Sequence, residues 1–121
     1  MIVFASRTGN VRHIVNNISD YTVEIREGMI VNTPYFLFTY TDNLGEVPIA
    51  VKEFLETNHG MCKGVVVSGN SNFGHSYFCG AADKINKQYD IPIIKKIELR
   101  GFQKDFEEIK DKYNKLIKGE I

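Results

Sequence analysis

Ile2-Val3-Phe4-Ala5-Ser6-Arg7-Thr8-Gly9-Asn10-Val11 passes from a short apolar strand, through a hydroxyl-rich turn, into a helical pattern. Val11, Ile14, Val15 and Ile18 recur at helical spacing and share one face. A strand that turns at once into a helix is the first unit of an alternating β/α chain. The turn also carries chemistry. It presents free backbone N–H groups, the hydroxyls of Ser6 and Thr8 and a helix N-terminus to one small volume, which suits a phosphate. No Gly-Lys-Ser/Thr follows, and the turn has a single glycine, so neither the triphosphate cradle nor the G-x-G-x-x-G fingerprint is present. A phosphate held by amides and hydroxyls, without lysine or metal, fits a monophosphate ester anchored for long residence. Ser6 and Thr8 also have a plainer use, as caps of the helix.

Working outward, residues 21–25 form a short strand in which Val23 and Ile25 alternate with Thr22 and Glu24. Tyr35-Phe36-Leu37-Phe38-Thr39-Tyr40 is a continuous apolar run of the kind buried on both faces of a parallel sheet. Pro48 opens a helix with Val51, Phe54 and Leu55 in one stripe, ending near Asn58-His59-Gly60. Residues 64–68 (GVVVS) are a second buried strand, and a helix is expected over 77–89. Residues 93–99 are a strand, Gly101 breaks it, and 104–117 form a last helix with Phe106, Ile109, Tyr113 and Leu116 on one face. The order predicts a parallel sheet with helices on both sides. Residues 25–34 are too short for a comfortable helical crossover, so a loop or one short turn is expected there.

The bulk properties set limits. A chain of 121 residues suits one domain spanning 1–121, burying about two-thirds of its unfolded surface. No apolar run approaches the roughly 20 residues of a membrane span, and the chain enters a strand at once, so no signal segment is expected. Cys62 and Cys79 lie far apart, with no CxxC or metal spacing, which points to the reducing cytoplasm. Residues 1–60 carry four Lys/Arg against seven Asp/Glu, and residues 61–121 eleven against eight, so the halves stand at −3 and +3. That asymmetry is too mild for nucleic-acid binding. His13, His59 and His75 share no ligand spacing, so no metal site is expected.

In doubly wound sheets ligands sit beyond the carboxyl ends of the strands, so the loops leaving strands one, three and four should converge. The second loop is Thr39-Tyr40-Thr41-Asp42-Asn43-Leu44-Gly45-Glu46, and the third is Ser68-Gly69-Asn70-Ser71-Asn72-Phe73-Gly74-His75. Both are polar for segments leaving buried strands. A ligand reaching all three would place its phosphate at the first and a wide planar group between the others. Tyr40, Leu44 and Phe73 can supply walls, with Tyr40 equally suited to the core. Asn70 and Asn72 bring amide donors and acceptors, and Gly45, Gly69 and Gly74 allow close backbone approach. Tyr77 and Phe78 begin the expected helix and read first as core; Cys79 reads first as a structural thiol.

At these residues the chain resembles a known family. Ser6-Arg7-Thr8-Gly9-Asn10 is similar to the FMN phosphate loop of flavodoxins. TYTDNLGEVP and SGNSNFGHSYFCGAADKI resemble the second and third loops of the short, flavodoxin-like NrdI proteins, accessories to class Ib ribonucleotide reductase. The resemblance runs from Ile2 into the last helix. It implies an α/β/α sandwich with five parallel strands in the order 2-1-3-4-5, the helix between strands 2 and 3 missing or reduced. By position it implies that Ser6, Arg7, Thr8, Gly9, Asn10 and Val11 wrap the FMN phosphate. Thr39, Tyr40, Thr41, Asp42, Asn43, Leu44 and Gly45 would flank one side of the ring system. Gly69, Asn70, Ser71, Asn72, Phe73 and Gly74 would flank the other, with Tyr77, Phe78 and Cys79 close by. Catalysis would belong to the flavin, tuned by Asn43, Leu44 and Gly45. Some relatives have Gly at the Asn43 position, where a peptide flip accompanies reduction, and Asn accepts positive φ better than other non-glycine residues. Some have Trp where this chain has Phe73.

The implied function is transfer of electrons from FMN to O₂, supplying superoxide for assembly of the dimanganese–tyrosyl radical cofactor in the reductase β subunit. A flavin reductase or ferredoxin-type donor would feed it. The alternative is a general flavodoxin-type electron carrier. The short chain, the missing crossover helix and the neutral net charge count against it. A non-flavin protein on the same architecture is a third class. A receiver domain would need an acidic cluster at the strand ends, and a low-molecular-weight phosphatase a cysteine opening the first loop; both are absent. Charge adds a physical expectation. Asp42 and Glu46 are the only carboxylates in the proposed loops, while Arg7 is positive, so an anionic reduced flavin should be penalised less than in a strongly acidic site.

Overall fold

Alternation within the apolar strands decides which layer each side chain enters. The computed structural model describes residues 1–42, 44–74 and 77–118, with backbone alone at 73, 116 and 117. Leu116, expected on the apolar face of the last helix, and the positions of Asn43 and His75 therefore lie outside what is described. The elements are β1 (Ile2–Phe4), α1 (Asn10–Asn16), β2 (Thr22–Glu24), β3 (Tyr35–Tyr40), α2 (Ile49–Asn58), β4 (Cys62–Gly69), α3 (Gly80–Tyr89), β5 (Ile93–Glu98) and α4 (Gln103–Ile117). Short 3₁₀ turns occupy His59–Met61 and Ser71–Phe73.

The strands form one parallel sheet in the order β2-β1-β3-β4-β5. Val3, Tyr35, Leu37, Val65 and Val67 face α2 and α3, meeting Val51, Phe54, Leu55, Ala81, Ala82 and Ile85. Ile2, Phe4, Phe36, Phe38, Val66 and Ile97 face α1 and α4, meeting Val11, Ile14, Val15, Phe106, Ile109 and Tyr113. The result is the three-layer sandwich expected from the strand pattern. Among the described residues no helix is long and apolar enough to cross a membrane.

No helix joins β2 to β3. In its place a turn closes where Met29 N–H donates to the Arg26 carbonyl at 3.2 Å, with Gly28 at φ +76°. Buried Asn58, the last residue of α2, fastens this segment. Its Oδ1 accepts from Val31 N–H at 2.8 Å, and its Nδ2 donates to the carbonyls of Met29 at 2.8 Å and Phe54 at 3.0 Å. The Asn58 carbonyl accepts the Tyr35 hydroxyl at 2.8 Å. A single amide thus meets backbone groups that a crossover helix would have satisfied internally.

Two expected starts move. The third helix begins at Gly80, not at 77, because Cys79 sits at φ +51°, outside the right-handed helical region. Tyr77 and Phe78 consequently belong to the loop before α3. β4 also begins earlier than expected, at Cys62.

Candidate functional site

The carboxyl edge of the sheet is stitched one residue beyond the strands. Ile25 N–H donates to the Phe4 carbonyl at 2.8 Å, Ala5 to Phe38 at 3.0 Å, Thr41 to Ser68 at 3.0 Å, and Leu99 to Gly69 at 2.8 Å. Each strand end is therefore held against its neighbour before its loop departs. The loops after β1, β3 and β4 open onto one cavity of about 690 Å³. Arg7, Thr8 and Asn10 line it from the first loop, Tyr40, Thr41, Asp42 and Leu44 from the second, and Gly69, Asn70 and Tyr77 from the third. Ser68 and Leu99 complete it.

In the first loop Gly9, at φ +93°, turns the chain into α1. The Ser6 hydroxyl accepts Arg12 N–H at 3.3 Å, so it orders the start of the helix while its own proton stays available. The amides of Asn10 and Val11 precede the first intrahelical bond, His13 N–H to the Gly9 carbonyl at 3.0 Å. The Val11 side chain is core, which leaves its backbone to the loop.

The second loop is a tight turn. Asp42 and Glu46 exchange backbone hydrogen bonds of 2.8 and 2.7 Å across it, and Gly45 takes φ +86°. The foot at Asp42 accepts Arg7 Nη1 at 2.7 Å, and the foot at Glu46 accepts Lys84 Nζ of α3 at 2.8 Å. These hydrogen bonds raise the pKa of Arg7 and lower that of Glu46. The turn rests directly on α3: a Cβ at Gly80 would lie 2.8 Å from Gly45 Cα and 2.9 Å from its carbonyl oxygen. Thr41 Oγ1 is buried and, among the described residues, has no hydrogen-bond partner. A buried hydroxyl left unpaired at a cavity wall is suited to pair with a polar atom of a ligand.

The third loop begins with the Asn70 side chain accepting Asn72 N–H at 2.9 Å. Ser71 N–H donates to the Glu98 carboxylate, 3.1 Å from Oε2 and 3.2 Å from Oε1. Gly69 is required by close packing, since a Cβ there would lie 2.9 Å from both the amide nitrogen and Sγ of Cys79. Cys79 itself is fully buried; its thiol donates toward the Val67 carbonyl at 3.3 Å, and burial pushes it up to about 12. It packs in the core beneath the loop and does not line the cavity. Phe78 is partly buried against the same core, whereas Tyr77 is 44% exposed and lines the cavity. Ser6, Gly9, Gly45, Ser71, Asn72 and Gly74 belong to these loops but are not among the residues that line the cavity. Thr39, also expected at the site, is buried and bonds the Tyr40 carbonyl at 3.1 Å. Asn43 and the ring of Phe73 lie outside the described residues.

Two residues were not anticipated. Leu99 lines the cavity at φ +50°, its carbonyl accepting the Ser68 hydroxyl at 2.6 Å. Glu98, at the end of β5, brings a carboxylate to a loop that has none of its own in sequence. The signal was available: with β5 beside β4, the end of β5 shares the same rim.

Comparison with known proteins agrees with this architecture. The family model described as NrdI flavodoxin-like matches residues 2–111. The chain is 42% identical over 109 residues to Protein NrdI of Bacillus licheniformis, covering 88% of this chain and 81% of that one. Among solved structures it is similar to a short-chain flavodoxin associated with a non-canonical PDU bacterial microcompartment. That match has a TM-score of 0.73 at 22% identity and covers 99% of this chain and 97% of the other, a likeness of fold.

Proposed function

This chain belongs to the NrdI flavodoxin-like family, and on that premise we propose that it holds FMN and serves a class Ib ribonucleotide reductase. The observation that carries the reading is the unpartnered Thr41 hydroxyl at the wall of a cavity built by three strand-end loops. The chemistry FMN supplies when bound is delivery of electrons to O₂, with superoxide as the product used to assemble the dimanganese–tyrosyl radical cofactor of the β subunit.

The residues present fit that group. The amides of Asn10 and Val11, the Thr8 hydroxyl and the free proton of Ser6 would hold the phosphate. Thr41 would bond a polar edge of the ring system, and the Asn70 amide nitrogen, free of the Asn72 contact, would bond another. Tyr40, Leu44, Tyr77 and Leu99, which line the cavity, would cover its faces and exclude water from them. The cation and carboxylate of the wall, Arg7 and Asp42, orient the second loop over the first.

Purified protein reconstituted with FMN should show flavin absorption and quenched flavin fluorescence at a one-to-one ratio. With reductant and O₂ it should activate the manganese-loaded β subunit of its own reductase. No uptake of FMN overturns the reading. Uptake without activation leaves a flavodoxin-type electron carrier.

A further inference from the structure

Among the described residues the cavity wall carries one cation and one carboxylate, and the two are bonded to each other. Arg7 leaves the first loop, lies over the Tyr40 ring with its guanidinium carbon 4.9 Å from the centroid, and reaches Asp42 Oδ1 at 2.7 Å. One guanidinium therefore joins loops that leave different strands. Asp42 is fixed through its backbone by the paired bonds to Glu46. Glu46 itself points away from the cavity to Lys84.

We propose that the Arg7–Asp42 pair is a charge-cancelling element that keeps the cavity wall neutral toward the added negative charge of reduced FMN. The inference rests on the FMN reading above. An isolated carboxylate on the wall opposes an incoming negative charge, and an isolated guanidinium favours it. Bonded together they act as a small dipole whose field falls faster with distance than that of either charge. Arg7 stays protonated at any working pH, so the cancellation does not depend on its titration. Arg7 is thus a positioning residue for the redox step, acting through Asp42 and through the field at the wall.

The test is a double-mutant cycle on FMN-loaded protein, R7Q, D42N and the pair together, reading FMN affinity and the two-electron midpoint potential. R7Q removes the positive charge beside Asp42 and should weaken reduced FMN about tenfold relative to oxidised, which is about 30 mV of midpoint lowering for a two-electron couple. D42N should shift the midpoint the other way, and the double variant should return to within about twofold of the original ratio. R7K should restore most of the R7Q loss, and added salt should shrink every shift. Equal weakening of both oxidation states, or shifts of one sign in both single variants, would mark a packing role and overturn the proposal. Should the unaltered protein fail to take up FMN, the functional reading falls with it; flavin uptake with unmoved potentials removes only this inference.

Discussion

Thr41 shows how one atom separates stability from function. Its hydroxyl is buried without a partner among the described residues, a cost the folded chain carries and a ligand would relieve. Thr41→Val keeps the shape and removes the unpaired oxygen. The ligand-free protein should be unchanged or up to about 1 kcal/mol more stable in urea unfolding, while FMN affinity falls about tenfold. Loss of stability together with unchanged affinity would show that the hydroxyl serves the fold. Sequence placed Thr41 in a polar loop beside Tyr40 and Asp42, but did not separate it from them. Whether a hydroxyl is paired depends on groups contributed by other strands.

At the scale of elements, the link between β2 and β3 is the most unusual feature. Its shortness was legible from the count of residues between two strand patterns. Its means of support was not. Asn58 read as part of an ordinary helix ending, yet it is the node that binds residues 29 and 31 to α2. Asn58→Ala strands a buried N–H and carbonyl, and should cost about 2–4 kcal/mol with faster proteolysis in the segment 25–34. A loss below about 0.5 kcal/mol would show that apolar packing of Met29 and Val31 alone holds the segment. The opposite error occurred before α3. The helix was expected from Tyr77, but Cys79, packed closely against Gly69, takes a left-handed conformation and the helix starts only at Gly80. The delay turns Tyr77 toward the cavity.

For the whole molecule, the core beneath α2 and α3 contains both thiols and Tyr35. Burial pushes Cys79 up to about 12 and Cys62 to about 11 from an ordinary value of 9.0, and raises Tyr35 as well. Below about pH 9 folded and unfolded chains both keep these protons and the contribution to stability is complete. Between 9 and the raised values the folded protein holds protons that the unfolded chain has released, so stability falls as pH rises. Denaturation at pH 8 and 10.5 should differ by about 2–4 kcal/mol, and the Cys62→Ala/Cys79→Ala variant should show a smaller difference. An unchanged slope in that variant would assign the loss to other groups.

By itself the sequence determined the layered β/α architecture and the convergence of three loops. Those follow from apolar runs, helical spacing and turn residues, which are local and additive along the chain. Tertiary structure alone decided the pairing of Arg7 with Asp42, the arrival of Glu98 and Leu99 from β5, and the burial of Cys79 away from the cavity. Each depends on which side chains from distant segments come within a few ångströms. A side chain's charge is written in its residue type, but the field it exerts is set by the neighbour that folding brings to it.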